Sequence, residues 1–101
     1  MFSVNCGEKL RQLGRRLRDA RLKRNEPQRE FAARLGVSIP TLRKMETGDP
    51  SVSLGVWVEA LDLLDRLSDI DHLLAFQQSL FEQYDNSKKK PRQRVSRKKV
   101  S

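Results

Sequence analysis

The chain has 101 residues, of which 37% are hydrophobic and 34% are charged, and its formal net charge is +8. This length allows one small domain with one hydrophobic core and excludes an elaborate multidomain enzyme. No run approaches about 18 apolar residues and no basic region precedes an apolar run at the N-terminus, so we expect neither a transmembrane helix nor a signal peptide. The single cysteine, Cys6, excludes an internal disulfide and suits a reducing cytoplasm.

The charge is divided into three blocks along the chain. Residues 1–48 contain 12 Lys or Arg and 5 Asp or Glu, for a net charge of +7. Residues 49–85 contain 1 basic and 8 acidic residues, for −7, and residues 86–101 contain 8 basic residues and no acidic one. This asymmetry predicts that one surface binds a polyanion and that a separate surface binds something else. A charged surface that only confers solubility is the alternative.

The first predicted helix runs from Glu8 to Arg24. Its apolar residues recur at spacings of three and four and form one stripe, made of Leu10, Leu13, Leu17 and Ala20. Most of its basic residues lie off that stripe. Residues 1–7 are predicted to be a flexible N-terminus.

Two short helices follow. The first is Gln28 to Leu35, which begins after Pro27 and ends at Gly36. The second begins after Ser38, a good N-cap, and ends before Gly48. Two short helices that share an apolar interior and are joined by a glycine turn form a helix-turn-helix. The N-terminal part of its second helix enters the DNA major groove.

Two further helices complete a predicted all-α fold of five helices. The fourth runs from Leu54 to about Leu64, and its residues Leu54, Val58, Leu61 and Leu64 share one side; Trp57 is expected in the core. The fifth opens at Ser68 and reaches about Tyr84. Residues 86–101 contain two valines and no other large apolar residue, so we predict a disordered basic tail there.

Three segments, in this order and spacing, resemble the Cro/repressor-type helix-turn-helix family, also called the XRE family. An arginine-rich first helix is followed by PQREFAARLGVS and then by TLRKMETGDPSVSL. The resemblance covers about residues 10–67 and implies a lambda-repressor-like fold. We therefore expect a DNA-binding domain over residues 8–67 and a C-terminal helix over 68–85, which serves as a dimer or partner surface, before the tail 86–101.

The run GDPSVSLGVWVEALDLLDRL is similar to the HipB branch of that family. Members of this branch are antitoxins that repress their own operon and bind a HipA-like kinase toxin. The resemblance thus implies operator DNA and a toxin as partners.

The resemblance assigns DNA contacts to eight residues. Gln28 matches the glutamine that meets a DNA phosphate at the start of the second helix, where free N–H groups favour anions, and Arg29 assists it. Positions of the third helix that face bases or backbone are Ser38, Ile39, Pro40, Thr41, Arg43 and Lys44. Arg43 can reach O6 and N7 of guanine, and Thr41 can reach a thymine methyl or a phosphate. A solvated helix face is the alternative for Arg43 and Lys44.

Two of these positions depart from the family pattern. Ile39 and Pro40 are apolar where the family often carries polar residues that read bases. They contact thymine methyl groups, or specificity comes partly from DNA shape, or operator binding has decayed and the protein mainly binds a partner. The sequence leaves these three alternatives open.

The resemblance also pairs Arg21, near the end of the first helix, with Glu46 at the end of the recognition helix. It implies a homodimer, because two recognition helices about 34 Å apart meet successive major grooves of a palindrome. The candidate dimer or partner surface consists of Leu61, Leu64, Leu67, Leu73 and Phe81. The acidic residues nearby either bind a basic partner protein or are merely solvated.

Nothing in the sequence favours an enzyme, a metal site or a cofactor. His72 is the only histidine, and no second catalytic group or phosphate-binding glycine loop accompanies it. The leading hypothesis is a cytoplasmic, nucleoid-associated bacterial repressor, the HipB-like antitoxin of a toxin–antitoxin operon. The alternatives are a stand-alone phage-type or metabolic repressor and an interaction module that no longer reads DNA. The tail adds nonspecific phosphate contacts, or a partner or protease recognises it, or it only keeps the chain soluble.

Overall fold

The structure, a computed structural model, describes residues 2–76 and contains five helices. Four are α-helices, namely α1 (Val4–Lys23), α2 (Gln28–Leu35), α3 (Ile39–Thr47) and α4 (Leu54–Leu63), and a 3-10 helix, Leu67–His72, follows them. Residues 2–76 contain no strand, and the predicted all-α fold is confirmed. None of the helices in this range has the length and apolar character that crossing a bilayer requires. The predicted disordered tail lies outside the described residues.

Helix α1 begins earlier than predicted. It starts at Val4 rather than Glu8, because the hydroxyl of Ser3 caps it and accepts a hydrogen bond from the N–H of Cys6 at 3.0 Å. The apolar stripe begins only at Leu10, so periodicity does not detect the first turns of the helix. The helix therefore includes Val4 to Gly7, which the sequence analysis left outside it.

One hydrophobic core lies between the four α-helices. Phe31, Leu42 and Met45 are its largest fully buried side chains, and α1 and α4 add Leu17 and Trp57. The apolar faces of α2 and α3 thus meet each other, as the helix-turn-helix pattern predicts, and α1 and α4 cover them. The remaining buried members of this core are Ala32, Leu35, Ala60 and Leu64.

The C-terminal end of α3 packs directly on the backbone of α1. A Cβ atom at Gly14 of α1 would lie 2.5 Å from the carbonyl oxygen of Met45. A Cβ atom at Gly48, the residue that ends α3, would lie 2.6 Å from the backbone nitrogen of Arg11. Glycine at these two positions lets the backbones approach to a distance that no side chain allows. Sequence analysis identified Gly48 only as a helix terminator and did not single out Gly14.

Helix α4 packs on the core through Trp57, and the four residues predicted to share one side of it differ in burial. Trp57, Ala60 and the C-cap residue Leu64 are buried, whereas Leu54 is exposed and Val58 is only half-buried. The prediction for Trp57 is confirmed.

The predicted fifth helix is a 3-10 helix over its described part. It ends at His72, and Leu73–Phe76 follow it without helical structure. Ser68, where the helix was predicted to open, lies inside this element, and Arg66 before it makes no side-chain capping hydrogen bond. Without a cap the start of an α-helix leaves several N–H groups unsatisfied, and short 3-10 turns are common in such places. Residues 77–84 of the predicted helix lie outside the described residues.

The carboxylate of Asp49 makes a hydrogen bond within the turn between α3 and α4. It accepts a hydrogen bond from the N–H of Ser51 at 2.8 Å, and this bond lowers the pKa of Asp49 below its ordinary value. Because the pKa is lower in the folded chain, the stabilisation is present above the unfolded pKa and is lost as the pH falls through the folded pKa.

We expect the amide resonance of Ser51 to titrate in an NMR pH series with a midpoint below that of an ordinary aspartate. Asp49→Asn should remove this titration from the Ser51 amide. An amide that titrates at the ordinary aspartate midpoint in the unmodified chain would contradict the assignment.

Candidate DNA-binding surface

Helices α2 and α3 are joined by the three residues Gly36, Val37 and Ser38. Gly36 is in the left-handed region, with φ +81, and both its N–H and that of Val37 donate to the carbonyl of Ala32, at 2.9 and 3.0 Å. The hydroxyl of Ser38 accepts from the N–H of Thr41 at 3.2 Å and donates to the Thr41 hydroxyl at 3.0 Å. These bonds set the direction in which α3 leaves the turn.

The residues predicted to contact DNA differ in exposure. Five are exposed, namely Arg29, Ser38, Pro40, Arg43 and Lys44. Gln28, Ile39 and Thr41 are half-buried. Ile39 packs against the hydrophobic core, so only part of its side chain is free to meet a base. The first turn of α3 therefore combines core contacts with an exposed outer side.

A buried ion pair lies beneath this surface and joins α1 to α3. The carboxylate of Glu46 accepts two hydrogen bonds from Arg21, from Nε at 2.7 Å and from Nη2 at 3.2 Å. The side chains are only 5% and 3% exposed, respectively. Nη1 of Arg21 also donates to the backbone carbonyl of Glu26, at 2.7 Å. Arg21 and Glu46 are the two residues that the family resemblance pairs.

Gln28 connects this ion pair to the exposed surface. Its Nε2 donates to Glu46 at 3.0 Å, and its Oε1 accepts from Nε of Arg43 at 3.3 Å. The second bond engages only the Nε of Arg43, so its two terminal NH2 groups can still bind another acceptor. Sequence analysis missed this contact, because Gln28 and Arg43 are 15 residues apart and only the packing of α2 on α3 brings them together.

The start of α2 offers backbone N–H groups to a ligand. Its N-cap is Pro27, which makes no side-chain hydrogen bond to the first turn. The early N–H groups of a helix carry a partial positive charge and bind phosphate well. Gln28 and Arg29 lie in the same turn, and the side chain of Arg29 is exposed. This end of α2 can therefore bind an anion beside the outer side of α3.

Positive charge is available on this surface. Many arginines of the described chain are engaged by carboxylates: Arg11 and Arg15 by Glu8, and Arg24 and Arg34 by Glu26. In contrast, none of Arg29, Arg43 and Lys44 forms an ion pair within residues 2–76. Basic side chains that are not neutralised by protein carboxylates are the ones that attract a polyanion.

Residues 12–74 match the family model described as "Helix-turn-helix domain". The chain belongs to this helix-turn-helix family. The match covers more than half of the chain and contains α2, the glycine turn and α3. The chain is thus a helix-turn-helix protein of the DNA-binding kind. Searches of curated proteins and of solved structures found no match.

The residues predicted to form a dimer or partner surface of this helix-turn-helix protein differ in their burial. Leu64 does not belong to it, because this side chain is buried in the core. Leu67 and Leu73 are exposed, and Leu61 is half-buried. Phe81 lies outside the described residues.

His72 and Cys6 lie far apart along the described part of the chain. Within residues 2–76, no three His, Cys, Asp or Glu side chains are placed to hold a metal ion. His72 ends the 3-10 helix and Cys6 lies near the start of α1, and both are exposed.

Proposed function

We propose that this helix-turn-helix protein is a sequence-specific transcriptional repressor whose α3 enters the DNA major groove. The observation that carries the proposal is the exposure of Arg29, Arg43 and Lys44, without ion-pair partners in the described chain, beside the uncapped start of α2. This combination suits a duplex, in which phosphates flank the base edges of the groove.

The proposed contacts follow from side-chain chemistry. The terminal NH2 groups of Arg43 would bind O6 and N7 of a guanine, while Gln28 holds its Nε. The N–H groups at the start of α2, with Arg29, would bind one phosphate, and Lys44 would bind another. Pro40, exposed in the first turn of α3, suits a thymine methyl group.

Three further residues have a more limited proposed role. Ser38 and Thr41 are engaged with each other at the start of α3, so they position that helix and can add a phosphate contact. Ile39 shares its side chain with the core, which favours a partial contribution to readout. With few residues free to read bases, we propose that DNA shape contributes to specificity.

The proposal includes a homodimer. One α3 spans only a few base pairs, and two recognition helices about 34 Å apart would double the contact on a palindrome. Exposed apolar residues near the end of the described chain support it: Leu67 is 43% exposed, and Leu74 and Phe76 are more so. We assign the contact to these residues.

We further propose that the protein is a HipB-like antitoxin that binds a HipA-like kinase toxin in the cytoplasm. The support is the resemblance of the α3–α4 segment to that branch and the acidic character of the outer side of α4. Glu59 and Asp62 are exposed there, beside Val58 and Leu67. Such a surface suits a basic partner and lies apart from the residues proposed for DNA. A stand-alone repressor would need no partner at this surface.

The test is a fluorescence-anisotropy titration of the full chain with the DNA upstream of its own gene and with a scrambled duplex. We expect the upstream DNA to bind about 10³-fold or more tightly than the scrambled duplex. Arg43→Ala should weaken binding to the upstream DNA by about 1–3 kcal/mol and change the scrambled duplex little. Lys44→Ala should weaken both and reduce the salt slope by about 0.9.

Arg66→Ala is the matched control, because it removes the same charge from an exposed arginine outside α2 and α3. It should leave the preference for the upstream DNA unchanged. Equal binding of both duplexes by the unmodified chain would refute the repressor proposal on this DNA and favour the interaction module.

A further inference from the structure

An apolar groove opens on the domain between α1, the α3–α4 turn, α4 and the 3-10 helix. Its volume is about 380 Å³. Most of its lining is apolar, with Leu10 and Leu13 from α1, Trp57 and Leu61 from α4, and Ile70 and Leu73. None of the eight residues proposed for DNA contact lines it. The groove is therefore a second surface, separate from the one formed by α2 and α3.

The last described residues run beside this groove. Leu73 lines it, and the backbone then turns at Leu74, whose φ of +56 is in the left-handed region that residues other than glycine rarely adopt. The described chain ends at Phe76, three residues after the groove-lining Leu73. The next segment thus starts close to the groove.

That next segment has the composition of a groove ligand. Residues 77–85, QQSLFEQYD, contain three large apolar residues, Leu80, Phe81 and Tyr84, among polar ones. Their spacing of one, three and four residues is the pattern typical of one side of a helix. Beyond them, residues 86–101 contain eight basic residues, and their only large apolar residues are Val95 and Val100. Within residues 77–101, this segment is therefore the part whose composition suits an apolar surface.

The short distance to the groove and the covalent link to the domain favour a segment of the same chain over another molecule as the occupant of the groove. Leu80 is four residues beyond Phe76, and an extended chain of that length spans up to about 14 Å. A segment held this close has an effective concentration of about millimolar, which a separate molecule must exceed in order to compete.

We propose that residues 77–84 fold back and place Leu80, Phe81 and Tyr84 in this groove of the same chain. The inference stands on the groove and the segment alone and does not depend on DNA recognition. It gives Leu61, Leu73 and Phe81, which the sequence placed on a dimer surface, a role in closing the domain's own core. Leu67 does not line the groove and stays available to a second copy. The basic tail then leaves the domain at the groove.

The test uses Trp57, which lines the groove, is 8% exposed and is the only tryptophan of the full chain. In Phe81→Ser we expect its emission to shift to longer wavelength and its quenching by acrylamide to rise, because the groove opens to water. The melting temperature should fall as well. Gln78→Ser, in the same segment, is the matched control and should change none of the three. If Phe81→Ser leaves Trp57 and the melting temperature unchanged, the proposal is overturned.

A second measurement identifies the molecule that supplies the segment. In the unmodified full chain we expect nuclear Overhauser effects between the Phe81 or Tyr84 ring and the methyl groups of Leu13 or Leu61. A sample that mixes two differently labelled chains separates contacts within one chain from contacts between chains. Contacts within one chain support the proposal. Contacts only between chains would show that a second copy fills the groove, and no contact would show that the groove stays open; either result overturns it.

Discussion

Glu46→Ala is expected to reduce the free energy of unfolding by about 3–5 kcal/mol. The substitution leaves the guanidinium of Arg21 buried, with its side chain 5% exposed, and without its charge partner. It also removes the acceptor of the Nε2 group of Gln28. Small domains are stable by only about 5–15 kcal/mol, so this loss is a large fraction of the total. Urea denaturation followed by circular dichroism measures it.

Glu8→Ala is the matched control, because it also removes a carboxylate that pairs with arginine. Glu8 lies 3.0 Å from Arg11 and 3.5 Å from Arg15, but these three side chains are about half exposed. An exposed pair contributes much less to stability than a buried one, because water screens its charges. Equal losses of stability in the two variants would show that burial does not increase the contribution of the Arg21–Glu46 pair to the free energy of unfolding. In the double variant Arg21→Leu with Glu46→Leu, part of the loss should be recovered, because no buried charge remains unpaired.

Gly48→Ala is the second large effect that we expect. Gly48 has φ +82, and a Cβ atom there would lie 2.6 to 2.7 Å from backbone atoms of Leu10 and Arg11. The neighbouring atoms belong to the backbone of α1 and cannot rotate away as a side chain would. The substitution therefore adds a steric overlap, typically about 1–3 kcal/mol, to the cost of a left-handed alanine, about 1–2 kcal/mol.

Gly36→Ala separates these two costs. Gly36 has nearly the same φ, +81, but a Cβ atom there has no neighbour within 4 Å. Thermal and urea denaturation of both variants should show a clearly larger loss for Gly48→Ala. The difference between them measures the close approach of α3 to α1. Equal losses would mean that the left-handed backbone conformation alone explains the loss of stability in both variants. The helices α1 and α3 could then separate slightly without cost.

Local chemistry explains why the helix-turn-helix could be predicted so closely. The bounds of α2, Gln28–Leu35, follow from Pro27 before it and Gly36 after it. Those of α3 follow from Ser38 and Gly48 in the same way. A cap, a proline or a glycine acts through its own backbone and that of residues three or four away, so its effect is readable without the rest of the fold.

The start of α1 and the fifth helix show where local signals fall short. Ser3 caps α1 as effectively as Ser38 caps α3, but the residues after Ser3 have no apolar periodicity to draw attention to it. Ser68 is followed by Asp71 in a capping-box pattern, yet the chain forms a 3-10 helix there. A cap residue favours a helix start but does not ensure one, because packing of the following turns decides.

In the candidate site, too, some features could be predicted from the sequence and others could not. The eight candidate residues for DNA contact and the Arg21–Glu46 pair were expected from the family resemblance, whose motifs are contiguous in the chain. The hydrogen bonds of Gln28 to Glu46 and Arg43 were not, since they span 18 and 15 residues. Nothing in the residue types distinguishes a glutamine that meets solvent from one that bridges two helices.

The sequence by itself therefore determined the helical class, the bounds of α2 and α3 and the separation of basic and acidic blocks. These depend on caps, breakers and composition, which act over a few residues. Only the tertiary structure decided that Gly14 and Gly48 let α3 lie against α1 and that Leu64 is buried. It also decided that Gln28 joins a buried ion pair to Arg43. Such features depend on which distant surfaces meet, because close packing selects one arrangement among several that the same helices would allow.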